Sequence, residues 1–167
     1  PPATGSCRPD RVVDFGVDEP LEGTTEGAIA SYAGDFNCPS STVSPEIAHR
    51  LVAENLGLHC VSVEGLNGFD PLLYMRFEAC QAGFTTCEEQ PWDGVALRHA
   101  TTFAAPDTPV YIFVDGVDDG EQPVSGRYRL TATEGNCPDC LIEDHCEDNE
   151  LCRTERCEQA PQPGVLV

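Results

Sequence analysis

Short apolar runs of period two, Gly, Asn and Pro punctuation between them, and ten cysteines in 167 residues predict an all-β fold. The expected architecture is an antiparallel, jelly-roll-like β-sandwich carrying a small disulfide-rich C-terminal extension. Cysteine at this density in a small acidic chain is the chemistry of an oxidising compartment, because cytosolic thiols are held reduced. The chain therefore reads as secreted or surface-exposed.

The elements follow in order. Residues 1–11 form an N-terminal linker, with a first strand expected over Arg11 to Phe15. Glu22 to Phe36 is rich in small and polar residues and shows no strong period. Glu46 to Val52 alternates, with Ile47, His49 and Leu51 on one face. Asn55 to Gly57 ends that strand, and Leu58 to Val63 makes the next run, which suggests a hairpin. Gly65 to Gly68 is a turn. In Asp70 to Phe77 both alternating sets are largely apolar, as in a strand buried on two sides.

Val95, Leu97, His99, Thr101 and Phe103 share a face of the next strand, and Pro109 to Val114 is the most hydrophobic run, expected at the centre of a sheet. Asp115 to Gly120 reads as a turn. In the last clear strand, Tyr128, Leu130 and Ala132 alternate with Arg127, Arg129, Thr131 and Thr133, one face apolar and the other wet. The sandwich is thus placed over residues 12–134. Residues 135–160 form a cysteine-rich segment with few core formers, and 161–167 a flexible tail.

The cysteines divide evenly about residue 100: Cys7, Cys38, Cys60, Cys80 and Cys87 precede it, and Cys137, Cys140, Cys146, Cys152 and Cys157 follow. If all pair within the chain, an odd number of bridges crosses that point. Cys80 with Cys87 is the favoured local pair, and Cys7 with a tail cysteine is a candidate crossing. The Cys137-x2-Cys140 spacing also fits zinc, but the later cysteines lack a second close pair, so disulfides are preferred. A redox role for Cys137 and Cys140 is weaker, because they follow a strand rather than open a helix.

Net charge of -20 with no lysine repels phosphate backbones and argues against nucleic acid as a partner. No apolar run reaches the roughly 18 to 20 residues of a membrane helix, so no membrane insertion is expected. Pro1-Pro2 at the start and Met75 as the sole methionine read as a processed product whose signal peptide has been removed. Asp115, Asp118 and Asp119 crowd a glycine-rich turn and are candidate calcium ligands, with Glu22, Glu26 and Asp35 a looser set; neither follows EF-hand spacing. No other cofactor is required. His49 and His99 fall on mainly apolar strand faces and read as core or interface residues, while His59 and His145 have no supporting pattern. The sequence holds no Gly-x-Ser-x-Gly, His-Glu-x-x-His or glycine-rich phosphate loop, so no catalytic motif is present.

The middle of the chain resembles the bacterial pre-peptidase C-terminal (PPC-like) domain of secreted and surface proteins. The resemblance rests on Gly23 to Ala28 ahead of Tyr32 and Cys38, then Ser44 to Glu46 and Phe69 to Arg76. Tyr111 to Gly116 and Ser125 to Leu130 look like the family's closing hairpin. His49, where the family tends to have tyrosine, and the cysteine-rich extension depart from it. The resemblance implies a jelly-roll-like accessory domain, non-catalytic, of a kind in which some members bind calcium or polymers. The expected role is an extracellular binding or adhesion module whose partner is a protein or polysaccharide. The alternative is a subunit of a fibre or surface coat made of copies of itself. In that case the apolar end Val165, Leu166 and Val167 adds to a neighbour's sheet edge.

Overall fold

Alternating burial along each strand builds two stacked sheets. The structure, a computed structural model, describes residues 12–30, 44–77, 85–88, 96–117, 122–138, 150–153 and 156–159. The strands are β1 (Val13–Gly16), β2 (Leu21–Thr24), β3 (Ile47–Val52), β4 (Gly57–Leu66), β5 (Pro71–Phe77), β6 (Thr85–Glu88), β7 (Leu97–Ala104), β8 (Val110–Gly116), β9 (Arg127–Glu134), β10 (Glu150–Arg153) and β11 (Arg156–Gln159). One sheet has the order β1-β3-β8-β5-β6 and the other β2-β9-β4-β7. Pairing is antiparallel except between β1 and β3, which run parallel. The all-β sandwich expected from the sequence is the observed fold. Among the described residues no helix is long and apolar enough to cross a membrane.

The core lies between the sheets. Val61 and Val63 of β4 and Leu130 and Ala132 of β9 face Leu73 and Met75 of β5 and Val110, Ile112 and Val114 of β8, all buried. β5 and β8 are buried on their other face as well. There Leu72, Tyr74, Phe113 and Ala48 form a second apolar cluster, with Tyr74 stacked on Phe113 at 4.6 Å between ring centroids. The doubly apolar reading of residues 70–77 therefore holds. Arg76 lays its guanidinium 5.3 Å from the Phe113 ring centroid, a cation–π contact at the margin of that cluster.

Several expectations are corrected. β3 and β4 are not a hairpin, because the chain crosses between sheets after Val52. This lets Leu51 and the pair Val61 and Val63 meet across the core rather than lie side by side in one sheet. β8 and β9 likewise belong to different sheets, so Tyr111 to Gly116 and Ser125 to Leu130 do not form a closing hairpin. β2 arises within a segment that lacks a strong period, and β6 has no counterpart in the sequence reading. β8 extends to Gly116, which puts Asp115 inside a strand rather than in a turn.

On β7 the apolar stripe points outward. Arg98, Ala100, Thr102 and Ala104 are the buried set, and Phe103 is 57% exposed. Arg98 is buried because its guanidinium reaches Asp70 at 2.7 Å, just ahead of β5. Leu66 to Phe69 turns the chain out of β4. Asn67 and Gly68 have φ of 57° and 84°, and Phe69 N–H donates to the Leu66 carbonyl at 3.2 Å. Asn-Gly is the pair that tolerates two successive positive φ values.

The chain divides into two compact units, Pro1–Asn136 and Cys137–Val167. In the second, β10 and β11 pair antiparallel with Cys152 opposite Cys157 in register. Cys60 is bonded to Cys137, and Cys157 is also in a disulfide; none of the described cysteines is free. A sulfur joined to another cysteine is no thiolate, so Cys60 and Cys137 are not zinc ligands. Of the other cysteines, the side chains of Cys7, Cys38, Cys80, Cys87, Cys140, Cys146 and Cys152 lie outside the described residues.

Two outcomes follow from this packing. Asp70→Ala removes the carboxylate that meets the buried Arg98 and should cost about 2 kcal/mol in urea unfolding, between the ranges for exposed and buried pairs. Truncating one of the exposed pairs, as in Asp14→Ala beside Arg50, should cost under about 1 kcal/mol. Non-reducing peptide mapping should recover the Cys60 and Cys137 peptides joined. Removing that bridge should lower stability by up to about 4.5 kcal/mol on the chain-entropy treatment of a long closed loop.

Candidate functional site

His49 is the histidine that the fold makes most of. Its position on the inward face of β3 places it between sheets, where its Nε2 meets the Tyr128 hydroxyl of β9 at 2.7 Å. Both rings are buried, at 76° to one another, and Phe15 of β1 packs edge-on against the imidazole. Gly23 is required opposite: a Cβ there would lie about 2.5 Å from the Tyr128 phenol. β2 can therefore approach β9 closely over the tyrosine only because it carries glycine at this point.

Burial lowers the His49 pKa to about 4. The Val13 backbone beside it opposes that fall, although Nδ1 makes no well-formed hydrogen bond. Burial also raises the Tyr128 pKa. At neutral pH the pair is therefore an uncharged imidazole and a protonated phenol: with the proton on Nδ1 the hydroxyl donates to Nε2, and with it on Nε2 the imidazole donates to the hydroxyl oxygen. This tie between the two sheets is poor equipment for proton transfer near neutrality, since the useful pKa of a general base lies near the working pH.

Several other buried polar groups are held by hydrogen bonds, while Thr102 Oγ1 and His59 Nε2 make none. His59 Nδ1 lies 3.0 Å from the Gly57 carbonyl, which can only accept, so Nδ1 carries the proton. Tyr74 donates to Glu46 Oε2 at 2.6 Å, and burial, ahead of the neighbouring Glu46 charge, pushes its pKa upward. Asp115 is fully buried and accepts the Gly116 N–H at 2.7 Å. Thr25 Oγ1 accepts the Gly126 N–H at 3.1 Å, and Ser44 Oγ accepts that of Val124 at 2.9 Å. His99 is half-buried on the outward face of β7.

The described surface includes concave features at the sheet edges. A cleft of about 310 Å³ is bounded by Val13, Leu21 to Thr24, Glu26 to Ala28, Ile47, His49 and Tyr128, so that the sheet-edge strands β1 and β2 both contribute. A second, of about 430 Å³, is ringed by Asp14, Asp18, Glu19, Glu54 and Glu134. On the outer face of the β2-β9-β4-β7 sheet, Glu22 accepts from Arg127 at 3.2 Å and Arg129 at 3.0 Å, and Arg129 also approaches Glu64 at 3.5 Å. Further along that face Leu58 and Phe103 are opposite in register and both exposed.

The candidate calcium ligands are only partly brought together. Asp115 is an internal strand residue, while Asp118, Asp119 and Asp35 lie outside the described residues. Glu22 is engaged by two guanidinium groups rather than facing a cation with Glu26. Val165, Leu166 and Val167 also lie outside the described residues. Sequence reasoning missed the pairing of His49 with Tyr128. The signal available to it was two polar-tipped rings on otherwise apolar strand faces.

No family model matches the chain, and no curated protein matches it. Among solved structures, the pre-peptidase C-terminal domain of collagenase from Bacillus anthracis is similar over 75% of this chain and 98% of that one. The identity is 15% and the TM-score 0.48.

Protonating a buried His49 costs free energy that the unfolded chain does not incur. With a folded value near 4 against 6.5 unfolded, its contribution is full above about pH 6.5 and is lost as pH falls toward 4. The loss amounts to about 3 kcal/mol. His49→Phe should remove that part of the pH dependence. Urea titrations of both proteins from pH 7 to 4 should show a stability difference that shrinks steadily across this window.

Proposed function

We propose that this chain is a non-catalytic extracellular module for binding or adhesion, its partner a protein or polysaccharide. The observation that carries the reading is the use made of the buried polar groups. His49, Tyr74 and Arg98 are tied to residues of other strands or of the segments just ahead of them, while His59 and Asp115 bond backbone within their own strands, so groups that elsewhere do chemistry are here engaged in the sandwich itself. What the surface leaves available is recognition: open clefts at the sheet edges, an acidic exterior and exposed Leu58 and Phe103. The bonded cysteines suit an oxidising exterior, and the sequence resemblance to PPC-like domains supports an accessory role.

Immobilised full-length chain should show saturable binding to at least one class among extracellular polysaccharides and basic secreted proteins. Binding to a basic partner should weaken as salt rises, because a net charge of -20 adds a screened long-range attraction. Absence of saturable binding across both classes would count against the reading. So would hydrolysis of peptide, ester or glycoside substrates that disappears in His49→Phe.

A further inference from the structure

The cleft along β2 combines two properties that rarely adjoin by chance. Its walls are aliphatic, from Val13, Leu21, Ala28 and Ile47, and it continues past the C-terminal end of β2 to Glu26. Glu22, on the same strand, has its carboxylate occupied by Arg127 and Arg129. The Glu26 carboxylate makes no ion pair among the described residues. Thr24 holds Glu26 in place, accepting its N–H at 3.1 Å, while the Thr24 hydroxyl donates to the Gly126 carbonyl at 3.2 Å. Among the described residues, the mouth thus presents a carboxylate in no ion pair beside an apolar trough, with Arg127, itself paired to Glu22, lining the adjoining hollow.

We infer that this cleft receives the side chain of a lysine on a partner protein, its stem along Val13, Leu21 and Ile47 and its ammonium at Glu26. The assignment rests on the binding role proposed above and names the chemistry that this site recognises. Lysine is suited because its methylene stem covers apolar surface while its head stays at a wet, charged edge. His49 and Tyr128, at the base, are uncharged at neutral pH and do not repel a cation. An anion is disfavoured by Glu26 and by the charge of the whole chain.

Amide NMR of the full chain, titrated with Nα-acetyl-lysine methylamide and with the norleucine compound that lacks the ammonium, tests this directly. The lysine compound should shift the amides of Gly23, Glu26, Ala28 and Ile47 saturably at millimolar concentration, and the norleucine compound should bind more weakly. Glu26→Gln, an exposed change that should leave the melting temperature unaltered, should weaken lysine binding by about two- to five-fold, the range of an exposed ion pair. Ala28→Leu, which narrows the trough, should weaken both compounds together.

Equal affinity for the two compounds, shifts located elsewhere, or no effect of Glu26→Gln would overturn the assignment. Tighter binding of n-butylammonium than of the lysine compound would overturn a protein side chain as the occupant. If the cleft fails these tests while the immobilised chain still binds a polysaccharide or protein, only the cleft assignment falls. If the immobilised chain binds neither class, the binding role itself falls.

Discussion

Burial of the β5–β8 pair on both faces is the constraint on which the rest of the fold depends. Once Leu73, Met75, Val110, Ile112 and Val114 fill the space between the sheets, Leu72, Tyr74 and Phe113 must point the other way and be covered in turn. A sheet apolar on both faces can only sit at the centre of a layered structure. β3 flanks β8, with Ala48 on one face and Leu51 on the other, and β1 adds to the far edge of β3. The second sheet is the lid on one side of this slab and needs only one apolar face, which β9 supplies with Tyr128, Leu130 and Ala132.

The larger polar side chains of that interior each meet a partner through at least one atom. Arg98 is tolerated because Asp70 meets it from the turn region ahead of β5. His49 and Tyr128 satisfy one another across the sheets, and the tyrosine in turn requires Gly23 on the neighbouring strand. These contacts are directional where apolar packing is not, so they fix how one sheet is placed on the other. The buried histidines and carboxylates among the described residues are each engaged through at least one atom, and desolvation keeps His49 neutral near pH 7.

The edges of the two sheets are differently built. β1 and β2 are short edge strands with carboxylates nearby, a common means of discouraging indiscriminate strand pairing. The same two strands contribute to the cleft in which an aliphatic wall adjoins Glu26. A chain with no lysine of its own and most of its described arginines held in ion pairs or cation–π contacts has little with which to fill an acidic cleft from within.

Period-two patterning was sufficient by itself to define most of the strands of the sandwich. β3, β4, β5, β8 and β9 were legible because alternate side chains must go to opposite faces of a strand. The disulfide bonding of the described cysteines was legible in the cysteine count. What patterning could not decide was which strands share a sheet. The run from β3 to β4 looks like a hairpin because local sequence carries no record of a crossing between layers. Nor could it decide which face of β7 turns inward, since Leu97, His99, Thr101 and Phe103 are more apolar than Arg98, Ala100, Thr102 and Ala104. Asp70 neutralises Arg98 on the inward face. His49 and Tyr128 lie far apart in sequence and become a pair only when the sheets stack, and so does the cleft beside them. Distances between layers belong to tertiary packing, because that packing brings together side chains whose own neighbours in sequence point away.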